Sequence, residues 1–530
     1  MFSIDLPHRK SRHPCSRLWR SIRHKASSFY HYLFYVHPLL IQLCYFSIIS
    51  TVGFLILKIM KPRMTKIKNL DLFFMSVSSA TVSSMSTIDL ERFSNAQLII
   101  IIIMMLLGGE VFLSMVGLYL STSYFQKPTK TKGGAESPAT TKTNDVTLVD
   151  MGIVRKYSEL EISQNQHETA SQQAKVLKYN SLKTLVLIVM GYMTVIQLLG
   201  TALVLAYMST VTTAREVLEK KGIPILTYAI FTVISSFSSC GFTPNDENMF
   251  AFRKHSGLLL ILMPQILLGN TLYAPCLRLL IWLLQKILKK NEIEYLLKTD
   301  VKEIGYDHLL PRMHSRLLPI TVFGFIGVQL LLFCAMEWNL GEMSGLNGYQ
   351  KFVGALFQCV NTRHTGESVM NIANIAHAIL VLFIVMMYLP PYTSFLPPKY
   401  DQGSEPQVAD SKQMTRRTEI IEDVLFSQVG YLVGFIIAIC ITERKSMVED
   451  PLNFNVLYIT LEVVSAYGNV GFSAGYNCGK RLNHEGICLD KWHGFAGRWT
   501  SQGKIILIIV MFFGRLKKFN MQGGKAWKIE

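Results

Sequence analysis

The segment FFMSVSSATVSSMSTIDL, residues 73–90, is rich in serine and threonine and lies between two apolar stretches, 41–60 and 98–120. Each of these stretches has about the 20 residues that an α-helix needs to span roughly 30 Å of hydrocarbon. The segment itself is too polar to cross a bilayer, and it is too closely flanked to be an ordinary loop. The sequence therefore predicts an element that enters the membrane and returns to the same side.

The composition predicts a polytopic α-helical membrane protein. Of the 530 residues, 50% are hydrophobic and 17% are charged, compared with about 25% charged residues in ordinary soluble domains. The apolar residues are gathered in repeated runs of membrane-spanning length. A soluble protein of this size would instead divide into domains with polar surfaces.

The formal net charge of +17 agrees with basic segments on the cytoplasmic side, because Lys and Arg are enriched in cytoplasmic loops. The densest basic cluster is HRKSRHPCSRLWRSIRHK, residues 8–25, which predicts that the N-terminus and, after an even number of spans, the C-terminus are cytoplasmic. Nucleic-acid binding would need a basic soluble domain with interleaved aromatic residues, and none is visible. The expected surroundings are membrane lipid, without nucleic acid.

Long and short apolar segments alternate along the chain. The long segments are 41–60, 97–120, 182–208, 256–284, 316–337, 371–395, 419–442 and 502–516. The short segments lie inside consecutive pairs of long ones, at 70–83, 224–239, 349–362 and 454–467. Because this order occurs four times, it is an internal repeat. It predicts an all-α fold of four membrane-pore-membrane repeats, with eight transmembrane helices and four re-entrant pore helices around one central pore.

The repeats and the polar connections between them define the expected organisation of the chain. In order, it comprises a basic cytoplasmic tail (1–37), repeat A (38–120), a cytoplasmic linker (121–181), repeat B (182–288), a linker (289–315), repeat C (316–395), a linker (396–418) and repeat D (419–530) with a short cytoplasmic C-terminus. The first linker contains QKPTKTKGGAESPATTKTND, whose composition indicates a flexible connection. The second linker is expected to be partly helical.

Alignment of the four short segments places one small residue at the same position in each repeat. These candidate filter residues are Ser84, Gly241, Gly366 and Gly471. The residue before each is Ser83, Cys240, Thr365 or Val470, and the residue after each is Met85, Phe242, Glu367 or Phe472. A half-membrane helix that ends in a small residue and glycine indicates a re-entrant pore loop, because non-helical backbone is tolerated in a membrane where it lines a water-filled cavity. The alternative at any one position is a helix C-cap or a close-packing glycine.

Such loops suit the passage of a monovalent cation. Glycine reaches backbone conformations that a side chain forbids, so successive carbonyl groups can turn toward one axis. A ring of these carbonyls can replace the hydration shell of an ion. The partially negative C-terminal ends of four short helices would point at the same place.

At these residues the chain resembles the plant HKT family of sodium and potassium transporters, within the wider Trk/Ktr/HKT superfamily. The motifs TVSSMST, SSFSSCGFTPNDENM, NTRHTGE and SAYGNVGFS are similar to the four filter sequences of the family, and the resemblance runs from about residue 38 to the C-terminus. It implies a pore within each monomer, a filter formed by Ser84, Gly241, Gly366 and Gly471 that binds the Na⁺ in transit, and a homodimer with one pore per subunit. No cofactor is implied beyond the transported Na⁺.

Within the family, a serine at the first filter position implies sodium selectivity, whereas four glycines imply potassium permeation or Na⁺/K⁺ symport. This sequence has Ser84, whose Cβ disfavours positive φ, so a narrower or less symmetric ring that favours Na⁺ is expected. The resemblance implies a plasma-membrane sodium uniporter; the alternatives are a K⁺-permeable or symporting member and a non-conducting membrane subunit. An enzyme is not expected, because no nucleophile–base pair, phosphate loop or metal motif is visible.

Two features near the ends of spans are candidates for controlling conduction. Arg515 could face the pore and repel cations, whereas its neighbours Lys517 and Lys518 fit interfacial anchors. Pro390 and Pro391 break the sixth long segment, because a proline pair removes two N–H donors. They mark either a simple kink or a constriction below the filter.

Several other polar residues lie within the predicted spans or near the predicted outer mouth of the pore. Buried carboxylates are costly in hydrocarbon, so Glu110 is expected to form a hydrogen bond to a neighbouring repeat rather than to bind an ion. The same role is expected of Asn270. Acidic residues near the outer mouth would concentrate cations, and a disulfide is plausible in the outer loop because the outside is oxidising. The residues concerned are Asp89, Asp246 and Glu367 for the mouth, Arg363 and His364 as possible partners of Glu367, and Cys478 and Cys488 for the disulfide.

Overall fold

The computed structural model describes residues 38–63, 67–124, 151–339, 341–392, 428–481, 488, 490, 491 and 494–520. Within these residues the secondary structure is helical apart from turns and one isolated antiparallel bridge between Tyr476 and Lys491. The predicted basic tail, residues 125–150 of the first predicted linker, the whole linker 396–418 and the C-terminal end lie outside the described residues.

Four groups of helices follow one another, and each group contains a pore helix of 12 to 14 residues between two other apolar helices. Repeat A has helices Pro38–Ile59, Asn69–Ala80, Asn95–Gly108 and Glu110–Tyr124. Repeat B has Met151–Thr210, Thr212–Lys220, Ile225–Phe237, Ser256–Leu268 and Tyr273–Leu288. Repeat C has Arg312–Glu337, Gly348–Asn361 and His377–Tyr388, preceded by Asn291–Lys298 and Val301–Ile304; repeat D has Gln428–Thr442, Arg444–Glu449, Val456–Gly468 and Ser501–Asn520. The predicted all-α architecture of four membrane-pore-membrane repeats is therefore confirmed.

The pore helices are Asn69–Ala80, Ile225–Phe237, Gly348–Asn361 and Val456–Gly468. The starts of the third and fourth pore helices follow local sequence signals, since a side-chain acceptor at the N-cap satisfies an amide that the helix leaves unpaired. Asn347 and Gln350 form a capping box at the start of the third pore helix. The side chain of Asn455 accepts a hydrogen bond from the Tyr458 amide at the start of the fourth, at 2.8 Å.

Three helices are long and apolar enough to cross a membrane, at 40–59, 172–210 and 312–337, among the described residues. The number rises to five if each of two bent helix pairs is counted as one span. Shorter apolar helices, His377–Tyr388 and Gln428–Thr442, lie at two more of the predicted positions.

The predicted continuous segments 97–120 and 256–284 are each broken into two helices, which corrects the sequence interpretation. The first pair is bent by 57° at Gly109, and the second is bent by 81° between Leu268 and Tyr273. Composition does not reveal these breaks, because both halves of each pair are apolar.

The structure also shows helix in two of the predicted linkers, unexpectedly in the first and as expected in the second. Helix Met151–Thr210 begins inside the segment 121–181, and helices Asn291–Lys298 and Val301–Ile304 occupy the segment 289–315. Ile293 and Leu296 are buried there, in a cluster with Leu277 and Ile281 of repeat B, so this connection packs against the repeat that precedes it.

Candidate functional site

Each pore helix ends in a tight turn that leads into the candidate filter residue. The turns share a backbone hydrogen bond from an amide to the carbonyl five residues earlier. These bonds run from Ser83 to Ser78 (2.9 Å), Cys240 to Ser235 (2.9 Å), Gly366 to Asn361 (3.1 Å) and Val470 to Ser465 (3.0 Å). The donor is the residue before the filter position in repeats A, B and D, and the filter residue Gly366 itself in repeat C. The bonds end the helices, so the chain turns away from each helix axis within one residue of the same place in the four repeats.

All four candidate filter residues have a left-handed backbone. The φ angles are +55° at Ser84, +75° at Gly241, +68° at Gly366 and +102° at Gly471. Glycine adopts this region at little cost, but a residue with a Cβ does so rarely. The expectation that Ser84 would depart from the glycine backbone geometry is therefore wrong, since surrounding contacts hold it at positive φ.

Neighbouring repeats touch at these residues. A Cβ placed on Gly241 would lie 1.7 Å from the carbonyl oxygen of Thr365, which connects repeats B and C. A Cβ placed on Gly366 would lie 2.6 Å from the carbonyl carbon of Gly471, which connects repeats C and D. Both distances are far below van der Waals contact, so the positions admit no side chain without displacement.

The ring closes through the serine. A Cβ on Gly471 would lie 2.1 Å from the Cβ of Ser84, so repeats D and A also meet. The thiol of Cys240 is within hydrogen-bonding reach of the Ser84 backbone, which joins repeats A and B. The structure thus brings the four predicted positions together in the order A, B, C, D, in one ring of adjacent residues.

The flanking residues are buried around this ring and tie it to its surroundings. Ser83 accepts a hydrogen bond from Asn469 Nδ2 at 2.7 Å, which links repeat A to repeat D. The buried hydroxyl of Ser84 has no hydrogen-bond partner among the described residues. The remaining buried flanking residues are Met85, Cys240, Phe242, Thr365, Glu367, Val470 and Phe472.

The sequence suggested that Glu367 could pair with the basic residues Arg363 and His364 beside it. In the structure it links repeats instead. Its carboxylate accepts a hydrogen bond of 2.6 Å from the hydroxyl of Ser236 in repeat B. Arg363 instead donates to the carbonyl of Pro390 at 2.6 Å, and His364 lies 2.9 Å from the hydroxyl of Thr271.

A second buried carboxylate, Glu462 in the fourth pore helix, was not singled out from the sequence. It accepts hydrogen bonds from the Ser473 hydroxyl at 2.5 Å and from the Ala474 amide at 3.0 Å. These bonds attach the chain after Gly471 to its own pore helix. An acidic residue in the otherwise apolar stretch LYITLEVV, residues 457–464, is the signal that could have identified it.

The second long helices touch the pore helices through glycine. Cβ atoms placed on Gly108, Gly269 and Gly514 would lie 2.1, 1.9 and 2.0 Å from the carbonyl oxygens of Ala80, Phe237 and Tyr467, respectively. Each of these carbonyls lies four residues before a candidate filter residue. The glycines therefore let three helices approach the ends of three pore helices.

Arg515 follows the last of these glycines and is buried. Its guanidinium donates a hydrogen bond to the carbonyl of Gly108 and attracts the carboxylate of Glu110 electrostatically. Glu110 thus interacts electrostatically with repeat D, and its predicted hydrogen bond to a neighbouring repeat stays a prediction. Asn270 donates to Ser239 of its own repeat at 2.9 Å.

The proline pair lies beside a narrow cleft between repeats C and D. Helix His377–Tyr388 ends before Pro390. The lining of the cleft includes Arg363, Pro390, Pro391, Tyr467 and Lys517.

The loop after the fourth pore helix carries a disulfide between Cys478 and Cys488. Asp89 and Asp246 lie beyond the filter in repeats A and B, where Asp89 pairs with Lys491 at 2.9 Å. Both acidic residues line one cleft, which adjoins Phe242. No group of three or more His, Cys, Asp or Glu residues able to hold a metal ion is found in the part of the chain that the structure describes.

Four helical repeats around a common ring define a membrane-pore-membrane transport protein. The family model for TrkH, described as a cation transport protein, matches residues 160–521. The chain is 45% identical over 502 residues to "Cation transporter HKT1;3" of Oryza sativa subsp. japonica, an alignment that covers 94% of this chain and 93% of that protein. It is 46% identical to "Sodium transporter HKT1" of Arabidopsis thaliana, over 89% of this chain and 91% of that protein.

The crystal structure of the potassium transporter TrkH from Vibrio parahaemolyticus aligns with 90% of this chain and 82% of its own, with a TM-score of 0.44 and 15% sequence identity. From the family match and the sequence relatives, the chain belongs to the HKT family of cation transporters, within the TrkH cation transport proteins. Its relatives in this family are transporters, and monovalent cations are the class of substrate.

Proposed function

We propose that this protein is a plasma-membrane sodium transporter that acts as a channel-like uniporter, with passive, electrogenic Na⁺ permeation through Ser84, Gly241, Gly366 and Gly471. The observation that carries the proposal is the closed ring of four left-handed residues contributed by four repeats. The 46% identity to a protein named as a sodium transporter supports Na⁺ as the ion.

In this proposal the main-chain carbonyls at the ring replace water around the ion. The four pore helices end at the ring, so their partially negative C-terminal ends favour a cation there. Each monomer contains its own pore, both termini are cytoplasmic, and two subunits associate as a homodimer.

The serine acts through its side chain, because its backbone has the same sign of φ as the three glycines. Its Cβ occupies space directly beside Gly471, where an added Cβ would come within 2.1 Å. Its hydroxyl is buried at the ring without a protein partner among the described residues. A smaller opening with an additional oxygen favours the smaller Na⁺ over K⁺.

Two-electrode recording in oocytes, with external Na⁺ and K⁺ exchanged, tests this function. We expect the reversal potential to follow external Na⁺, and we expect Ser84→Gly to raise K⁺ permeation. The matched control is Ser344→Gly, the same change in an exposed loop. Parental Na⁺/K⁺ permeability ratios in Ser84→Gly would exclude Ser84 as the determinant of selectivity.

The same recordings separate the alternatives. A K⁺-permeable or symporting protein carries K⁺-dependent current before any substitution is made. A non-conducting membrane subunit carries no current although it reaches the cell surface. In either case the sodium uniporter is excluded.

A further inference from the structure

A narrow cleft lies between repeats A and B, next to the candidate filter. Phe242 and Ser86 form part of its wall, one and two residues beyond Gly241 and Ser84 respectively. In the proposed topology this is the external side of the ring. Anything that binds in the cleft would therefore sit at the mouth of the ion pathway.

One oxygen atom of a residue that lines this cleft lacks a partner among the described residues. Asn245 lines the cleft and is only 3% exposed. Its amide nitrogen donates to the carbonyl of Asn248, which fixes the orientation of the amide, because a flipped amide would oppose two acceptors. The remaining oxygen, Oδ1, has no hydrogen-bond partner among the described residues. A buried acceptor left unpaired is costly, so the site favours a bound donor or cation.

The carboxylate next to it lacks a basic partner. Lys221 pairs with Glu91 at 2.7 Å and with Glu247 at 3.1 Å. No basic side chain of the described residues lies within ion-pair distance of Asp246, whose carboxylate accepts a weak hydrogen bond from the Glu91 amide at 3.4 Å.

The protonation of Asp246 reflects these surroundings. Burial, followed by the charges of Asp89 and Glu91, raises its pKa to about 7, against the lowering effect of Lys221. Asp89 is held by Lys491 and lies 3.7 Å from Arg92. A cation bound in the cleft would stabilise the ionised form of Asp246.

We propose that this cleft binds a hydrated divalent cation of the Ca²⁺ type from the external solution, with Asp246 and Asn245 Oδ1 as ligands. The polar groups that line the cleft are oxygen donors, from Ser86, Asp89, Thr243, Asn245, Asp246 and Asn248, and hard cations prefer oxygen ligands. Because few of the ligands are charged, the affinity lies in the range of about 10⁻⁴–10⁻³ M of extracellular Ca²⁺ modules. The bound ion repels Na⁺ at the mouth and lowers inward current. This consequence rests on the proposed function, whereas binding itself does not.

The functional test is a titration of external Ca²⁺ from about 0.1 to about 10 mM at constant Na⁺ and ionic strength, with recording of inward Na⁺ current. We expect Ca²⁺ to inhibit the parent, and we expect Asp246→Asn and Asn245→Ala to raise the half-inhibiting concentration about tenfold. Glu449→Gln is the matched control, because it removes an acidic charge from the exposed loop helix Arg444–Glu449. Equal sensitivity in all variants would overturn the proposal in favour of general surface screening.

The pH dependence of Ca²⁺ inhibition provides a second test of the proposed site. Lowering the external pH through about 7 protonates Asp246, so Ca²⁺ inhibition should weaken in the parent and in Glu449→Gln. In Asp246→Asn the remaining sensitivity should not change over this pH range. A parental protein whose Ca²⁺ inhibition is the same at pH 8 and pH 6 would contradict the assignment of Asp246.

Binding is also measurable without transport. Purified full-length protein in detergent should gain thermal stability with Ca²⁺ at millimolar concentration, and Asp246→Asn and Asn245→Ala should lose this gain. A parental protein that shows no Ca²⁺-dependent shift would overturn the site. A shift in a protein that carries no current would leave the site standing and reject the proposed function instead.

Discussion

Ser84 shows how far a single residue could be interpreted from the sequence. Alignment of the repeats placed it with three glycines, and the structure brings the four together. Its backbone could not be predicted, because local preference disfavours φ of +55° for serine. Contacts made by other repeats, such as the hydrogen bond from Asn469 to Ser83, hold the chain in this conformation, and no local pattern encodes them.

The contact between Ser84 and Gly471 predicts coupling between two substitutions. Gly471→Ala should abolish current, because the new Cβ would lie 2.1 Å from the Ser84 Cβ and overpacking costs about 1–3 kcal/mol. In the Ser84→Gly background the clash is smaller, so the loss of current should be partly relieved. The measurement is a double-mutant cycle on current per surface-expressed protein.

Gly241→Ala combined with Ser84→Gly is the control for this cycle, since the clash at Gly241 is with Thr365 and not with the serine. The loss of current caused by Gly241→Ala should be the same in the parent and in the Ser84→Gly background. Strictly additive effects for Gly471→Ala would show that the two residues are not in contact.

Substitution of Arg515 is expected to increase current, in contrast to the loss expected for Gly471→Ala. Arg515 is buried beneath the ring, near Glu110 and the carbonyl of Gly108, and its positive charge opposes an approaching cation. Arg515→Gln should therefore increase conductance and change rectification, measured as current–voltage curves at equal surface expression.

Lys517→Gln removes a charge two residues further along the same helix, where the side chain is half-buried. It should leave the current–voltage curve close to that of the parent. Unchanged conductance and rectification in Arg515→Gln would confine this arginine to packing between repeats A and D.

At the scale of elements, the sequence predicted which helices exist better than it predicted their shape. The four short segments correspond to pore helices within a few residues, because their apolar stripes and small terminal residues are local signals. The breaks of 57° and 81° were missed. They lie where Gly108 and Gly269 meet the carbonyls of Ala80 and Phe237, and such contacts join parts of the chain that a periodicity analysis treats separately.

The glycine contacts predict the cost of a single methyl group. Gly269→Ala should reduce current and folded yield, because its Cβ would lie 1.9 Å from the carbonyl oxygen of Phe237 and 2.7 Å from the carbonyl carbon. The pore helix that leads to Gly241 would then be displaced. The measurements are monodisperse yield in detergent and current per surface-expressed protein.

Gly324→Ala is the matched control, because an added Cβ there meets nothing within 4 Å and alanine is the better helix former. It should preserve both yield and current. Parental behaviour of Gly269→Ala would mean that the helix end can move without consequence for the pore.

At the scale of the molecule, the loop after the fourth pore helix connects three repeats. Lys491 pairs with Asp89 of repeat A at 2.9 Å, and Lys480 donates to the carbonyl of Ala373 of repeat C at 2.9 Å. The disulfide between Cys478 and Cys488 closes a segment that contains Lys480 and ends three residues before Lys491. The sequence suggested the disulfide from its expected exposure, but it could not show that the loop joins repeats distant in the chain.

This arrangement predicts that reduction weakens the whole assembly of repeats. Cys478→Ser should lower the free energy of unfolding by about 2–4 kcal/mol, because it releases a closed loop and with it the restraint on Lys480 and Lys491. Heating purified protein in detergent and following its monodisperse fraction measures the change. A reductant should lower the midpoint of the parent to that of Cys478→Ser, and it should have no further effect on the variant. Cys334→Ser, at a free and half-buried cysteine, should respond to reductant as the parent does, and an equal response of all three proteins would show that the loop does not hold the repeats together.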